Sequence, residues 1–340
     1  MGLSVKGSLE ERCYGILEEK GGKIADEARE ILLKEKSLTG LRQPLRHISD
    51  NWRDPFAPSM VILSCEAVGG KPDDATHQTA LAMTLMNLSV NLWDDIVDRT
   101  MYKGFIQTAL GKFGEGITLM IGGLASAKAF SVLGEMTVDE AKRQLITRLV
   151  WNYWRKLAQA ETANLELRTR GGVRPEQKLK VIEMHAVNLR TLSKIGALLG
   201  NGSEDEMEHL GNYGKCLYTI LELRKDFNVS VNLTLELAEK IRSRALPYAL
   251  LWARNRCATI RKNLPILEKT TIQPIDIKRI VEAVFETRAL ENTLGLIKAS
   301  AQKAEQELSH LRDSTATRAL IFLSNAQPEI FKQSLSSLLF

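Results

Sequence analysis

The sequence predicts an all-α fold. Apolar residues return with a period near 3.6 over long stretches, no segment alternates strictly, and most prolines stand at the starts of helical runs or between them. A first amphipathic run covers 9–35, and Pro44, Pro55 and Pro58 punctuate the chain after it. From Gln78 to Val97, Leu81, Leu85, Leu88 and Leu92 share a face that Met83, Met86 and Val90 widen, so this helix is expected to be buried on most sides. Further runs cover 139–167, 176–199, 204–224, 246–263, 274–299 and 300–312. Pro72, Pro175, Pro265, Pro274 and Pro328 are read as boundaries, and Pro247 is the exception inside a run. Gly171-Gly172 and Gly200-Asn201-Gly202 read as helix stops, with Ser203 and Glu206 as a capping box.

At 340 residues the chain is long enough for two average domains, yet no linker or charge block divides it, so one domain over 1–340 is expected. The 46 basic and 41 acidic residues are interspersed, a solvated surface that argues against a nucleic-acid partner. Cys13, Cys65, Cys216 and Cys257 are widely spaced and suggest neither a zinc site nor a disulfide framework. The N-terminus turns charged within a few residues. The most apolar run, Ile117 to Ala127, is short and glycine-rich for a bilayer span, so a soluble cytoplasmic protein without an integral membrane segment is expected.

The segment Leu92-Trp93-Asp94-Asp95-Ile96-Val97-Asp98 closes the most apolar helix with three aspartates. On a helix Asp94 and Asp98 lie one turn apart on a common face, while Asp95 is about 100° round from Asp94. Like charges at that spacing cost about 0.2–0.5 kcal/mol, and the negative end of the helix dipole adds a similar penalty. Mg²⁺ offsets such a cost, because it is held by one or two carboxylates while substrate phosphates complete its shell. A solvated acidic helix end is the simpler alternative for an arbitrary D-D-x-x-D. The apolar helix that precedes it makes unpaired charge expensive there and favours the metal–diphosphate reading.

With these residues in view, the chain resembles the trans-isoprenyl diphosphate synthases of the polyprenyl synthetase family. Met60 to Asp98 follows the family's order of an apolar helix ending in E-A-x-G-G, a loop, and a helix ending in D-D-x-x-D. Lys112–Phe130, Ser193–Gly202 (SKIGALLGNG), Glu222–Val229 (ELRKDFNV, in place of the second aspartate motif) and Arg244–Ala253 (RALPYALLWA) resemble later landmarks in the same order. The resemblance implies a bundle of long helices around a deep cavity, Mg²⁺ as cofactor, an allylic isoprenoid diphosphate as ligand, and a homodimer or a heteromer with another prenyl synthase.

The departures from the family pattern concentrate on basic residues. Asp54 and Ala57 stand where the family's Lys and Arg bind isopentenyl diphosphate. Lys103, Gly104 and Phe105 replace R-R-G, Met184-His185 replaces K-T, and Gly122-Gly123 replaces G-D. In the second motif Glu222, Lys225 and Val229 are substitutions, and Asp226 remains. A diphosphate is gripped by charge-assisted bonds from Arg and Lys, so these losses weaken the co-substrate site more than the allylic one.

The residues therefore suggest an enzyme that ionises an allylic diphosphate with class I terpene-synthase chemistry. Chain-elongating prenyl transfer and a non-catalytic partner subunit are the alternatives. Asp94, Asp95, Asp98 and Asp226 are the expected catalytic residues, with Asp94, Asp98 and Asp226 as metal ligands. Lys103, Lys225, Arg224 and Glu222 are expected at the diphosphate. Ser89 and Met86 are expected to line a cavity that accepts a chain of about fifteen to twenty-five carbons, on family analogy. Trp93 and the Trp151–Trp154 segment read as helix packing, Asn164 as a candidate polar wall and His185 as a satisfied polar residue. Arg254, Arg256, Arg261 and Lys262 read as a solvated face that supplies a cation only if its helix borders the cavity.

Overall fold

The computed structural model describes residues 7–34, 39–170, 172–231, 235–267 and 273–336, and Gly171 of the first expected stop lies outside them. Helix α1 (Leu9–Glu30) opens on a Ser8–Glu11 capping box and ends earlier than the 9–35 run suggests. A short 3₁₀ turn leads into α2 (Arg42–Asn51), followed by the apolar α3 (Phe56–Ala67). Helix α4 (Asp74–Asp98) is capped by Asp73, whose carboxylate accepts from the Thr76 N–H at 2.9 Å. It stops at Arg99, which takes a left-handed φ of 55° and returns its N–H to the Asp95 and Ile96 carbonyls. The aspartates therefore occupy the last turn of α4, as the pattern predicted.

A hairpin of β1 (Tyr102–Lys103) and β2 (Ile106–Gln107) follows, a small element that the search for alternation did not find. Two residues per strand are too few to show a period. Thr108 caps α5 (Ala109–Glu135), which kinks at Gly114, where φ is 80°. By length and composition this 27-residue helix is long and apolar enough to cross a membrane, in contrast to the short span expected from 117–127. In the fold it lies along α4.

Helices α6 (Glu140–Thr169), α7 (Pro175–His185) and α8 (Val187–Leu199) come next; Ala186 breaks the expected 176–199 run in two. Helix α9 (Glu204–Val231) starts on the predicted Ser203–Glu206 capping box, with bonds of 2.8 and 3.2 Å. Then come α10 (Leu235–Arg242), α11 (Tyr248–Arg256) and α12 (Ala258–Leu267). Pro247 is explained: it is the cap before α11, where no intrahelical N–H is needed. Pro265 is a correction, since it lies inside α12 rather than at a boundary. The C-terminal part is α13 (Pro274–Glu286), α14 (Ala289–Leu308), α15 (Thr315–Asn325) and α16 (Gln327–Ser336). The break falls at Arg288, with φ 57°, and not near 299.

The two largest of four apolar clusters among the described residues hold most of the bundle. One joins α1, α3, α4 and α8 to the first half of α9 through residues such as Met60, Leu85, Ile195 and Tyr213. The other gathers α10–α14 around Ile220, Leu223 and Phe227 on the second half of α9. Close approach at α3 and α8 depends on Gly196, where a Cβ would collide with the Val61 carbonyl. This explains the SKIGALLGNG landmark in steric terms.

Candidate active site

A cavity of about 510 Å³ opens among α4, α6, α7, α9 and α10. Each long helix presents one stripe to it at three- and four-residue spacing. Asn91, Asp94, Asp95 and Asp98 come from α4, Glu161, Asn164 and Arg168 from α6, Tyr218, Leu221, Glu222 and Lys225 from α9. Lys178 and His185 of α7 and Glu236 and Lys240 of α10 close the ring. The expected Asp94, Asp95, Asp98, Lys103, Glu222, Lys225 and Asp226 all meet here.

The three aspartates are not equivalent. Asp98 is gripped by Arg168 on one oxygen and by Lys240 at 2.6 Å on the other. Burial works against its charge, but Lys240 and Arg168 outweigh it and hold the pKa down at about 2. Asp95 bonds Lys103 of the hairpin at 2.8 Å, although burial still raises its pKa. Asp94 has no hydrogen-bond or ion-pair partner among the described residues. Burial and the like charges of Glu161 and Asp98 push its pKa up to about 7. This is an electron-rich oxygen pair in search of a cation.

The opposite wall is mixed. Lys225 lies 3.9 Å from Glu222 and is held fully protonated by Glu222 and Asp94. Burial opposes the charge of Glu222, but Lys225 and Lys178 prevail and lower its pKa. Asp226 reaches the cavity with one oxygen engaged: it accepts the Tyr248 N–H and so caps α11. Arg224 is a correction. It borders the cavity, but its guanidinium is engaged by Gln327 and by Glu10 at 2.7 Å rather than by the aspartates. Helical spacing explains this, because position 224 lies about 100° from the Asp94-facing stripe at 225.

Ser89 and Met86 are corrections too. Both are fully buried in helix packing: Ser89 donates to the Gly122 carbonyl at 2.7 Å and accepts from Ser126 at 2.8 Å. Ser89 thus faces α5, and neither residue is among the α4 side chains lining the adjoining space, which are Asn87, Val90, Asn91 and Asp94. Gly122 has a clear role, since a Cβ there would collide with the Trp93 indole. Trp93 in turn tilts against Trp154 at 5.6 Å, as packing. Trp151, expected to pack, is 65% exposed.

His185 is a satisfied polar residue, as expected. It lines the cavity, approaches Glu161 through Nε2 at 2.6 Å and pairs Nδ1 with the Val181 carbonyl at 2.9 Å. Burial alone would lower its pKa, but the Glu161 carboxylate and the Val181 carbonyl raise it. The signal for this pair was available as Glu161 and His185 on facing stripes, but only the fold brings the two helices together.

Next to α3 the cavity continues into a space of about 400 Å³ lined by Asp54, Asn87, Asn188 and Trp52. Asp54 accepts from the Phe56 and Ala57 N–H groups at 2.9 and 3.3 Å, and from Asn87 Nδ2 at 2.5 Å. Asn188 donates to Asn87 Oδ1 at 3.0 Å. Arg53, the adjacent cation, is spent on Glu18 and Asp26 at 2.7 Å each. A carboxylate and two amides thus bond one another on this wall, where the sequence resemblance led one to expect basic residues.

Among the described residues no three His, Cys, Asp or Glu side chains converge as a ready metal cage. The donor set nevertheless fits Mg²⁺ bound to Asp94, with Asp98 one turn away and substrate oxygens completing the shell.

No protein-family model matches the sequence. The chain is 24% identical over 209 residues to the short chain isoprenyl diphosphate synthase of Methanothermobacter thermautotrophicus, covering 61% of this chain and 64% of that protein. It is 25% identical over 193 residues to the geranylgeranyl diphosphate synthase of Methanosarcina mazei, covering 56% and 59%. Against the large subunit 2 of the heterodimeric geranylgeranyl pyrophosphate synthase of Arabidopsis thaliana it is 26% identical, covering 50% and 46%. The matches thus span less than two thirds of these relatives' own lengths. Geranylgeranyl pyrophosphate synthetase from Pyrococcus horikoshii superposes with a TM-score of 0.81 at 21% identity, covering 94% of this chain and 99% of that one. Polyprenyl synthase from Caulobacter crescentus, complexed with calcium and isoprenyl diphosphate, superposes at 0.79 and 19% identity, covering 95% and 98%. By sequence the chain is thus similar to trans-isoprenyl diphosphate synthases over about half to three fifths of its length, and it shares their all-α fold.

Proposed function

We propose that the protein is a prenyltransferase that binds the diphosphate of an allylic isoprenoid at the Asp94 end of the cavity. The observation that carries this is Asp94 itself: a cavity-facing carboxylate without a partner, beside two aspartates that already hold cations. A Mg²⁺ ion bound there supplies positive charge to the leaving diphosphate. Lys103 and Lys240 anchor Asp95 and Asp98 and lie at the mouth where diphosphate oxygens would compete for them. Lys225 faces them from α9 as a fixed positive charge in place of a second motif's aspartate. The sequence-based preference for cyclisation gives way to transfer, because the relatives carry the names of prenyl diphosphate synthases. A homodimer is part of the proposal, through the outer face of α5.

The test is an incubation with Mg²⁺ and geranylgeranyl diphosphate, with and without isopentenyl diphosphate. Transfer predicts an elongated diphosphate only when both are present, and Asp94→Asn should lower the rate by at least about a hundredfold. A hydrocarbon formed from the allylic substrate alone would establish cyclisation instead. Silence in both arms would leave a partner-subunit role.

A further inference from the structure

The cations missing beside α3 have counterparts on the other flank of the cavity. Asn164, Arg168 and Lys178 border both the main cavity and a side pocket of about 250 Å³, which Arg170, Arg244 and Arg254 also line. Among the described residues no carboxylate lines that pocket. Arg168 spends its terminal nitrogens on Asp98 and the Val97 carbonyl, but its Nε–H is buried and meets no acceptor. Such an orphaned charged donor is costly unless an acceptor arrives from outside the protein. Lys178 forms no ion pair with a described residue, although Glu222 and Asp226 lie across the cavity from it. Arg254 is steadied by the Val173 carbonyl, and Arg244 is held in the left-handed region at φ 57°, a conformation that a side chain of this kind rarely takes.

Lys178 and the unmet Arg168 Nε–H thus face a pocket that Arg170, Arg244 and Arg254 also line, and an anion with several acceptor oxygens would satisfy both. Guanidinium groups are suited to phosphate by their planar fork. The rival explanation, a solvated basic surface, accounts for Arg170, which also pairs with Glu166 at 2.9 Å. It does not account for the buried Arg168 donor.

We infer that this pocket is a phosphate-binding site, and that it takes the phosphate or diphosphate group of a second ligand while the Asp94 end holds the first. The site has moved from α3, where Asp54, Asn87 and Asn188 now bond one another, to the α6, α7 and α11 side. That the ligand is the second one rests on the proposed transfer reaction. The affinity of the pocket for phosphate does not.

Calorimetric titration of the full chain in EDTA, separately with inorganic diphosphate and with isopentenyl diphosphate, tests this without Mg²⁺ at the aspartates. Saturable binding is expected, weakened at least about tenfold in a Lys178→Gln and Arg170→Gln double variant. Lys178→Gln alone should weaken it by a smaller factor, and thermal melting checks that either variant is folded. Tighter binding of isopentenyl diphosphate assigns the pocket to the second substrate, and equal binding assigns it to the released diphosphate; both support a phosphate site. No saturable binding in EDTA, or binding that the folded double variant retains in full, overturns it. Asp94→Asn should leave this titration unchanged while it removes turnover, so the two proposals fail separately.

Discussion

Asp94 and Asp98 sit one turn apart and yet titrate in opposite directions, and the difference lies in their partners. Arg168 and Lys240 close on Asp98, whereas Asp94 has burial and negative neighbours. The sign for stability follows from linkage. With its folded pKa near 7, above the ordinary 3.8, Asp94 contributes stability that is present at low pH and is lost as pH rises through about 7. Asp98, held at about 2, contributes stability above its ordinary value that is lost only as pH falls through about 2. Between pH 5.5 and 8 the metal-free protein should therefore lose on the order of 1 kcal/mol through Asp94, since the full linkage of about 2 kcal/mol is reduced by screening in the open cavity. Asp94→Asn should flatten that loss. Melting curves of both proteins at the two pH values decide it, and parallel pH slopes would reject an unpaired Asp94.

At the scale of elements, the interface of α4 with α5 determines what the cavity helix can present. Ser89, Gly122 and Ser126 are small because the helices touch there, and Trp93 fills the space over Gly122. Ser89→Phe is then an overpacking change, expected to cost about 1–3 kcal/mol or more in stability. It should not act as a chain-length switch. Denaturant unfolding measures the cost, and a stable variant with a shortened product would restore Ser89 to the cavity. The same interface shows what the sequence could and could not reveal. The period of α4 and the D-D-x-x-D spacing are local properties, and both were readable from the chain. Which side of α4 meets α5 was not, since Met86, Ser89 and Val90 all belong to a helix buried nearly all round. Arg224 and Lys225 could not be sorted until the rotation of α9 was known, and His185 could not be matched with Glu161 until α6 and α7 were packed. The loss of cations at Asp54 and Ala57 was legible, but the basic pocket around Lys178 and Arg244 joins residues far apart in sequence and had no local signature.

At the scale of the whole molecule, α5 leaves an unusual outer surface. Gly116, Met120, Gly123, Ala127 and Phe130 recur at four- and three-residue steps along its exposed side, and Leu119 widens the strip. Met120 is 60% exposed and Phe130 50%, and the chain carries no charge from Gly116 to Ala127. A solvated helix would place polar residues on that side. Trp151, exposed on α6, adds a large apolar side chain to the same kind of surface. Apolar side chains exposed along one strip would be covered in the proposed homodimer by a second copy, whose own glycine-lined α5 would let two backbones approach closely. Light scattering coupled to size exclusion should give twice the mass of 38.0 kDa for the wild type. A Met120→Glu and Phe130→Glu double variant places a pair of like charges in each copy's buried strip and should shift the species to the monomer mass, with helical circular dichroism retained. A wild-type monomer that instead partitions onto neutral phospholipid vesicles would reject the dimer and give α5 to a membrane surface, since the helix is long and apolar enough for that role.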